Sequence, residues 1–375
     1  MHIVIVKESS YEYAKLKADA FEILSGLDRG LIKPGANVLI KPNLLTAAKE
    51  EKAITTHPLL IKAVCQYVLD KGARPQVSDS PPLEPLEKVI KAAGIADALK
   101  GMGVSIKEFK DSRKVMSEGK FRGIELAEDA LDAEVIINLP KLKTHGQMML
   151  TLAVKNLFGC VVGMKKPEWH FRVGEDRMLF AELLLSIYQA LSPRINLMDG
   201  VLAMEGNGPG AGGTPRHLGI LIGGDDALSL DVAASRLLGV DPFTVPVIKK
   251  AHEAGLINEF EIKGGISPVK NFMLPETADL MFGHRVAQRF LRRHLTSRPK
   301  SIRGLCMACN ECVKMCPAKA ISPCKTPKAK QPIEFDYEKC IRCYCCLEVC
   351  PHGALKIDEP LLRRALKKAG GRYRL

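Results

Sequence analysis

Two stretches, CMACNECVKMCP (residues 306–317) and CIRCYCCLEVCP (residues 340–351), decide the organisation of the C-terminal part of the chain. Each places four cysteines at the spacing C-x2-C-x2-C-x3-C and follows the fourth with proline. Equivalent cysteines are 34 residues apart, as Cys306 and Cys340 are, so the segment is an internal duplication. In iron–sulfur sequences of this spacing, three cysteines of one motif and the last cysteine of the other bind each [4Fe-4S] cluster. The predicted ligands are Cys306, Cys309, Cys312 and Cys350 (set 1), and Cys340, Cys343, Cys346 and Cys316 (set 2).

Zinc binding and disulfide formation are the alternatives for these cysteines. Eight cysteines and two prolines in register favour clusters over both. Of the remaining cysteines, Cys65 and Cys160 are expected to be buried apolar thiols, and Cys345 is the variable residue between two ligands.

With 375 residues the chain is long enough for two domains. Its N-terminal stretch MHIVIVKES reads as a strand and lacks the pattern of a signal peptide. No apolar run reaches the length that a membrane span needs. Because thiolates must stay reduced until they bind metal, we expect a cytoplasmic location.

The net charge of +13 is concentrated near the C-terminus. Residues 283–305 carry seven Lys or Arg residues and residues 361–375 carry six, and neither segment contains an acid. Few aromatic residues lie among them, so nucleic-acid binding is not predicted. The segments are interpreted either as solvated basic helices or as a surface that docks an acidic redox partner.

From residue 2 to about residue 255, apolar runs of strand length alternate with amphipathic stretches, which predicts an α/β domain with a mainly parallel sheet and flanking helices. Strands are predicted at 2–7, 37–42, 74–79, 104–109, 134–140, 195–200 and 218–224, and helices near 12–28, 58–71, 84–99, 176–191, 227–238 and 245–254. The predicted organisation is an α/β domain (1–282), a basic helix and linker (283–303) with a hinge near 295–301, a small α+β two-cluster domain (304–358) with strands at 333–337 and 354–358, and a basic tail (359–375).

Polar residues follow several of the predicted strands, where ligands of parallel sheets bind. Asp225 and Asp226 after the strand at 218–224 belong to this group, and a glycine-containing stretch at 152–170 adds Lys165, Lys166 and His170. The candidate ligand-binding residues are Lys41, Asn43, Asp79, Lys141, Lys143, His145, Lys155, Asn156, Asp199, Glu205 and Asn207. Clustered lysines suit a small anionic ligand or cofactor. Asp79, Asp199 and Glu205 could instead hold a divalent metal.

Several blocks of the first 260 residues resemble the family catalogued as domain of unknown function 362. The blocks are KPNLL (41–45), THP (56–58), SDSP (78–81), NLPKLKTH (138–145), VKNLFG (154–159), DGVLAMEGNGP (199–209) and DALSLD (226–231). Residues 304–358 resemble a bacterial two-cluster ferredoxin domain. The resemblance implies cluster binding and leaves the activity of the front domain open.

The leading hypothesis is a redox enzyme that relays electrons through two [4Fe-4S] clusters to or from an anionic small ligand in the α/β domain, since tethering raises the effective concentration of donor at acceptor. The alternative is a non-enzymatic electron carrier or adaptor that docks an acidic partner protein. A third possibility is that the clusters only stabilise a domain too short to build its own core. The sequence identifies no catalytic residue.

Overall fold

The computed structural model describes residues 1–82, 84–116, 120–121, 123–163, 165–265, 267–276, 297–324 and 332–360. Residues 283–296 of the predicted basic helix and linker lie outside these ranges, and so do residues 361–375 of the predicted basic tail.

The α/β domain is built on a sheet to which ten of the described strands belong. The described strands of this domain are β1 (His2–Glu8), β2 (Asn37–Pro42), β3 (Arg74–Asp79), β4 (Ser105–Glu108), β5 (Ser112–Val115), β6 (Ile124–Ala127), β7 (Val135–Leu139), β8 (Lys141–His145), β9 (Met149–Thr151), β10 (Ile195–Gly206), β11 (Gly213–Gly224) and β12 (Phe260–Lys263). Strands β5 and β6 form a separate hairpin outside the sheet. The main strand order is β12-β1-β11-β10-β7-β2-β3-β4. Outside this order, β8 pairs with β10 and with β9. The predicted parallel sheet is confirmed for β10, β7, β2, β3 and β4.

Strand β11 runs antiparallel to both of its neighbours, β1 and β10. The physical reason is the short connection 207–212 after β10, because a parallel return needs a crossover of a dozen or more residues. Asp225 and Asp226 therefore leave the sheet at the opposite edge, which corrects their predicted placement with the other polar residues. Asp225 accepts the backbone N–H of Ile3 at 2.9 Å, and Asp226 caps the following helix.

Helices cover both faces of the sheet. They are α1 (Tyr13–Asp28), α2 (Pro58–Asp70), α3 (Leu86–Ala92), α4 (Ile95–Ala98), α5 (Glu128–Leu131), α6 (Ala153–Asn156), α7 (Lys165–Val173), α8 (Arg177–Leu191), α9 (Ala227–Leu237) and α10 (Pro246–Glu253). Short 3-10 turns occur at Glu50–Lys52, Leu157–Cys160 and Pro242–Thr244. Side chains of β2 alternate between the two cores, since Val38 and Ile40 belong to one and Leu39 to the other.

Among the described helices, none combines the length and the apolar character needed to cross a membrane.

The C-terminal module consists of short elements around the cysteines. They are β13 (Arg298–Ser301), α11 (Glu311–Met315), β14 (Ile321–Pro323), β15 (Ile333–Phe335), α12 (Cys345–Glu348) and β16 (Leu355–Asp358). Two antiparallel pairs, β13–β16 and β14–β15, frame it. The sequence predicts a linker at residues 298–301, but the structure has a strand there. This strand pairs with β16 and covers an edge that would otherwise be unpaired.

Gly223 of β11 allows helix α1 to approach the sheet closely. A Cβ atom at this position would lie 2.1 Å from Cγ2 of Ile23 and 3.2 Å from Cδ1 of Leu27.

We expect Gly223→Ala to lower the free energy of unfolding by about 1–3 kcal/mol, because the added methyl group overpacks the core. Gly265→Ala is the control, since a Cβ there meets no atom within 4 Å. Denaturant midpoints measured by circular dichroism compare the two variants, and equal losses would contradict this account.

Candidate functional site

The eight motif cysteines surround two small cavities. One is lined by Cys306, Cys309, Cys312 and Cys350, and the other by Cys316, Cys340, Cys343 and Cys346. The first cavity thus holds set 1, three cysteines of one motif with the last cysteine of the other, and the second holds set 2 together with Cys345. The structure describes all twelve cysteines of the chain.

The backbone around the two cavities repeats with the sequence. Ala308 and Arg342 are left-handed, with φ of 54° and 50°, and so are Asn310 and Tyr344, with φ of 62° and 61°. The backbone N–H of Ala320 donates to Sγ of Cys316 at 3.2 Å, and that of Ala354 donates to Sγ of Cys350 at the same distance. Both loops therefore wrap their cavity in one way and point amide donors at sulfur.

The chemistry of these thiols fits a cationic occupant. Burial raises the pKa of Cys340 to about 11 and that of Cys312 to about 12, so a thiolate at either position needs a compensating positive charge. In cubane clusters the cysteines ligate different irons, so the four sulfurs need not converge on one point. Over the described residues, no three or more His, Cys, Asp or Glu side chains are placed to hold a single metal ion.

Two of the predicted lysines are completely buried at the carboxyl edge of the sheet and are paired with carboxylates. Lys41 Nζ lies 2.9 Å from Oδ2 of Asp79, and Lys141 Nζ lies 2.8 Å from Oδ2 of Asp199. Tyr11 closes the second pair by donating its hydroxyl to Asp199 at 2.7 Å. Each of these four candidate residues is thus paired with another of them. The pairs hold neighbouring strands together at this edge and leave no unpaired charge for a ligand.

The other predicted polar residues divide into two groups. Lys143 donates to Oδ1 of Asn43 at 2.8 Å and to the Ile54 carbonyl at 2.6 Å, and Asn43 donates to Oδ1 of Asn156 at 2.8 Å. Glu205 and Asn207 belong to the β10–β11 hairpin and its turn, outside this group. Glu205 pairs with Arg216 at 2.6 Å, and Asn207 accepts the backbone N–H of Glu276 at 3.1 Å.

The divalent metal expected at Asp79, Asp199 and Glu205 does not fit this arrangement, because each carboxylate already pairs with a different cation.

A pocket of about 90 Å³ lies between the α/β domain and the C-terminal module. Predicted residues in its lining are Asn43, Asp79, Lys155 and Asn156, and Lys166 and His170 join them. The module contributes Met315, Cys345, Glu348 and Val349. Cys345 also lines the cavity of set 2, so the two spaces share this side chain.

The second cysteine motif forms the interface with the α/β domain. Nε2 of His145 lies 2.8 Å from Oε1 of Glu348, and Arg342 donates to Glu175 at 2.9 Å. Nδ1 of His145 accepts the backbone N–H groups of Gln147 and Met148, so a neutral ring carries its proton on Nε2, towards Glu348.

The electrostatics agree with this tautomer. Burial lowers the pKa of His145 to about 4. Burial alone would raise the pKa of Glu348, but His145 and Lys155 lower it to about 2, so the carboxylate is ionised.

Two nitrogen groups of the pocket have no partner among the described residues. Nδ1 of His170 makes no hydrogen bond although the residue is only 5% exposed. Nζ of Lys155 makes no hydrogen bond or ion pair within the described chain and lies 5.9 Å from the ring centroid of Phe180. Lys166 donates to the Ser80 carbonyl at 2.5 Å, and burial lowers the pKa of Lys166 to about 8. Lys155 is thus the lysine of the lining without a hydrogen-bonded partner in the described chain, and the carboxylate of Glu348 acts on its charge.

Sequence reasoning missed Glu348 and Cys345 as pocket residues. The available signal was the divergence between the repeats, because Glu348 takes the place of Lys314 and Cys345 that of Glu311. These are the positions at which the second motif faces the α/β domain and the first does not.

The family described as "Domain of unknown function (DUF362)" matches residues 38–236, and the family described as "4Fe-4S dicluster domain" matches residues 305–354. A thylakoid-associated protein of Synechocystis sp. is 37% identical over 256 residues, which are 68% of this chain and 79% of that protein. NADH-quinone oxidoreductase subunit I of Pelobacter propionicus is 32% identical over 75 residues, which are 18% of this chain and 40% of that protein. The lactate racemase apoprotein from Thermoanaerobacterium thermosaccharolyticum aligns with a TM-score of 0.37 and 10% identity over 64% of this chain and 57% of that chain.

Two adjacent cysteines provide a test of the ligand sets. Anaerobic reconstitution of the full chain should yield about eight iron and eight sulfide per chain. We expect Cys346→Ser to lose about half of this iron, because it removes a ligand of set 2. Cys345→Ser should keep the full content, since its thiol is outside both sets. Iron and sulfide analysis, with visible spectra, measures both variants, and an equal loss in the two would contradict the assignment.

Proposed function

The chain belongs to the DUF362 family and is an iron–sulfur electron-transfer protein with a 4Fe-4S dicluster domain, and from this premise we propose that it is a redox enzyme acting on a small anion held between its two domains. Sets 1 and 2 would hold the clusters, which supply one-electron redox chemistry when bound. The observation that carries the proposal is the pocket shared by Lys155 and by helix α12, which bears Cys346 of set 2.

The side chains of the pocket have separate tasks in this proposal. Lys155 and Lys166 attract the anion, and Asn43 and Asn156 fix the shape of the polar side through their mutual hydrogen bond. Glu348 would repel an anion, but its carboxylate contacts His145 and is partly neutralised by Lys155.

The remainder of the lining limits access of water to the ligand. Phe158, Met315 and Val349 are apolar, and water is a poor occupant next to such side chains. A charge held there interacts more strongly with the cysteine-bearing helix than it would in solvent.

One observation favours the alternative of an electron carrier or adaptor. The first cysteine motif faces solvent, with Met307 68% exposed and Cys309 exposed, whereas the equivalent Ile341 is half-buried and Cys343 is buried. This surface could meet an acidic partner protein, with Arg303 and Lys319 exposed nearby in the chain. Partner binding would then weaken steeply with salt, whereas conversion of a small molecule would not.

The cytoplasmic location stays a prediction. It rests on the need to keep thiolates reduced until they bind metal.

Binding of an anion should depend on pH through the pocket lysines. Because the pKa of Lys166 is lowered to about 8, raising the pH above 8 removes its positive charge, and affinity should fall by up to about tenfold per pH unit. Burial also lowers the pKa of Lys155, so both groups act in the same direction. Calorimetric titration with acetate, butyrate and inorganic phosphate between pH 6 and 10 measures this.

Lys166→Met should weaken binding at pH 7 and flatten the profile near pH 8. Lys165→Met is the matched control, because Lys165 pairs with Ser112 and Glu125 and does not line the pocket. A profile that is unchanged in Lys166→Met would contradict the role of this lysine.

The redox proposal predicts that an anion in the pocket changes one cluster more than the other. A negative charge near set 2 disfavours an added electron there. The midpoint potential of the cluster bound by set 2 should therefore fall more than that of the other cluster. Anaerobic redox titration followed by electron paramagnetic resonance, with and without butyrate, measures it. The enzyme proposal would fail if no probe anion bound, or if a bound anion changed neither the midpoint potentials nor the reduction rate of the clusters. The alternative of an electron carrier or adaptor would then remain.

A further inference from the structure

The ligand class of the pocket follows from its polar groups and from its apolar lining. We infer that the pocket binds a small monocarboxylate with an apolar body, an inference that rests on the proposed function. The structure carries it through the two unpaired nitrogen groups, the partners of most other polar groups, and the size of the space.

Most polar side chains of the pocket are already satisfied. Asn43 accepts a hydrogen bond from Lys143 and donates one to Asn156, and Asn156 donates to the Lys41 carbonyl at 3.1 Å. Asp79 pairs with Lys41, and Lys166 donates to Ser80. A ligand that competed for these groups would have to break buried hydrogen bonds, which costs about 1–3 kcal/mol for each polar group left unpaired.

Lys155 and His170 are therefore the donors that a ligand can engage without such a loss, whereas Oε1 of Glu348 also lacks a hydrogen-bond partner but can only accept. Lys155 offers an ammonium group, and a neutral imidazole can carry its proton on Nδ1 and donate it. One cation and one neutral donor match the single charge and the two oxygens of a carboxylate.

Inorganic phosphate matches this set poorly. It brings four oxygens and up to two charges, so several acceptors would be left without donors next to apolar side chains. The space of about 90 Å³ also suits a molecule of a few heavy atoms better than a nucleotide.

The apolar part of the lining recognises the rest of the ligand. Leu45, Pro82 and Phe158 come from the α/β domain, and Met315 and Val349 come from the module. Apolar groups of a ligand that displace water from these side chains gain affinity in proportion to the area they bury. A carboxylate with a short alkyl or aryl group satisfies both parts of the pocket at once.

The test uses the anaerobically reconstituted full chain at pH 7 and four probes: butyrate, acetate, 1-butanol and inorganic phosphate. We expect butyrate to bind about tenfold more tightly than acetate, because it buries two more CH2 groups. Butanol should bind at least about tenfold more weakly than butyrate, since it lacks the charge that Lys155 pairs with. Phosphate should bind more weakly than butyrate. Calorimetry or ligand-observed NMR gives all four dissociation constants.

Variants assign the binding to this pocket. Lys155→Met should weaken butyrate at least about tenfold, while Lys165→Met leaves it unchanged. Leu45→Ala should lower the ratio of butyrate to acetate affinity and leave acetate binding close to that of the wild type. Iron content and circular dichroism show whether each variant is folded and loaded.

The outcomes separate the two proposals. Phosphate binding that is tighter than butyrate binding and is lost in Lys155→Met would overturn the carboxylate inference and leave the anion-binding enzyme standing. Equal affinity for butyrate and acetate would also overturn it, because the apolar lining would contribute nothing. If none of the probes bound to the wild-type chain, both proposals would fall together. The ranking in the wild type decides these cases even if a variant does not fold.

Discussion

A buried lysine that keeps its charge needs an opposite charge beside it, and this constraint organises the carboxyl edge of the sheet at Lys41 and Lys141. The charge on Lys41 or Lys141 would be strongly unfavourable away from water without Asp79 or Asp199 beside it. Each pair joins two neighbouring segments of the edge and thereby fixes the loops that follow the strands. Once these charges are neutralised within the domain, Lys155 and Lys166 remain as the lysines that line the pocket. The internal pairs therefore decide which charge is available to a ligand.

The C-terminal module shows how one duplicated backbone serves two surroundings. The left-handed residues and the amide–sulfur hydrogen bonds repeat between the motifs, because both cysteine loops have to enclose the same kind of cavity. Side chains that point away from the cavity are free of this requirement and have diverged. Lys314 in the first motif is replaced by Glu348 in the second, which contacts His145 of the α/β domain. The first loop keeps its exposed surface.

The sequence predicted most strands and helices correctly, because alternating apolar positions reflect burial on two faces, as in β2. It placed Asp225 and Asp226 at the wrong edge, since strand direction depends on the length of the loop before β11 and not on the pattern within the strand. It grouped Lys41, Lys141 and Lys155 together, and residue type alone could not show that two of them have carboxylate partners. Glu205 has the chemistry of a ligand residue, but its pairing with Arg216 is a tertiary contact that no local pattern contains.

The position of the pocket links ligand binding to the docking of the module. Lys155 and His170 belong to the α/β domain, whereas Met315, Glu348 and Val349 close the pocket from the other side of the interface. A ligand that contacts both sides binds the docked arrangement more tightly than an open one, so it must stabilise docking by the same free energy. The His145–Glu348 contact acts in the same direction, because separation would leave a buried histidine and a carboxylate without each other. The cysteine-bearing helix is thus held against the ligand by interactions that do not involve the cysteines themselves.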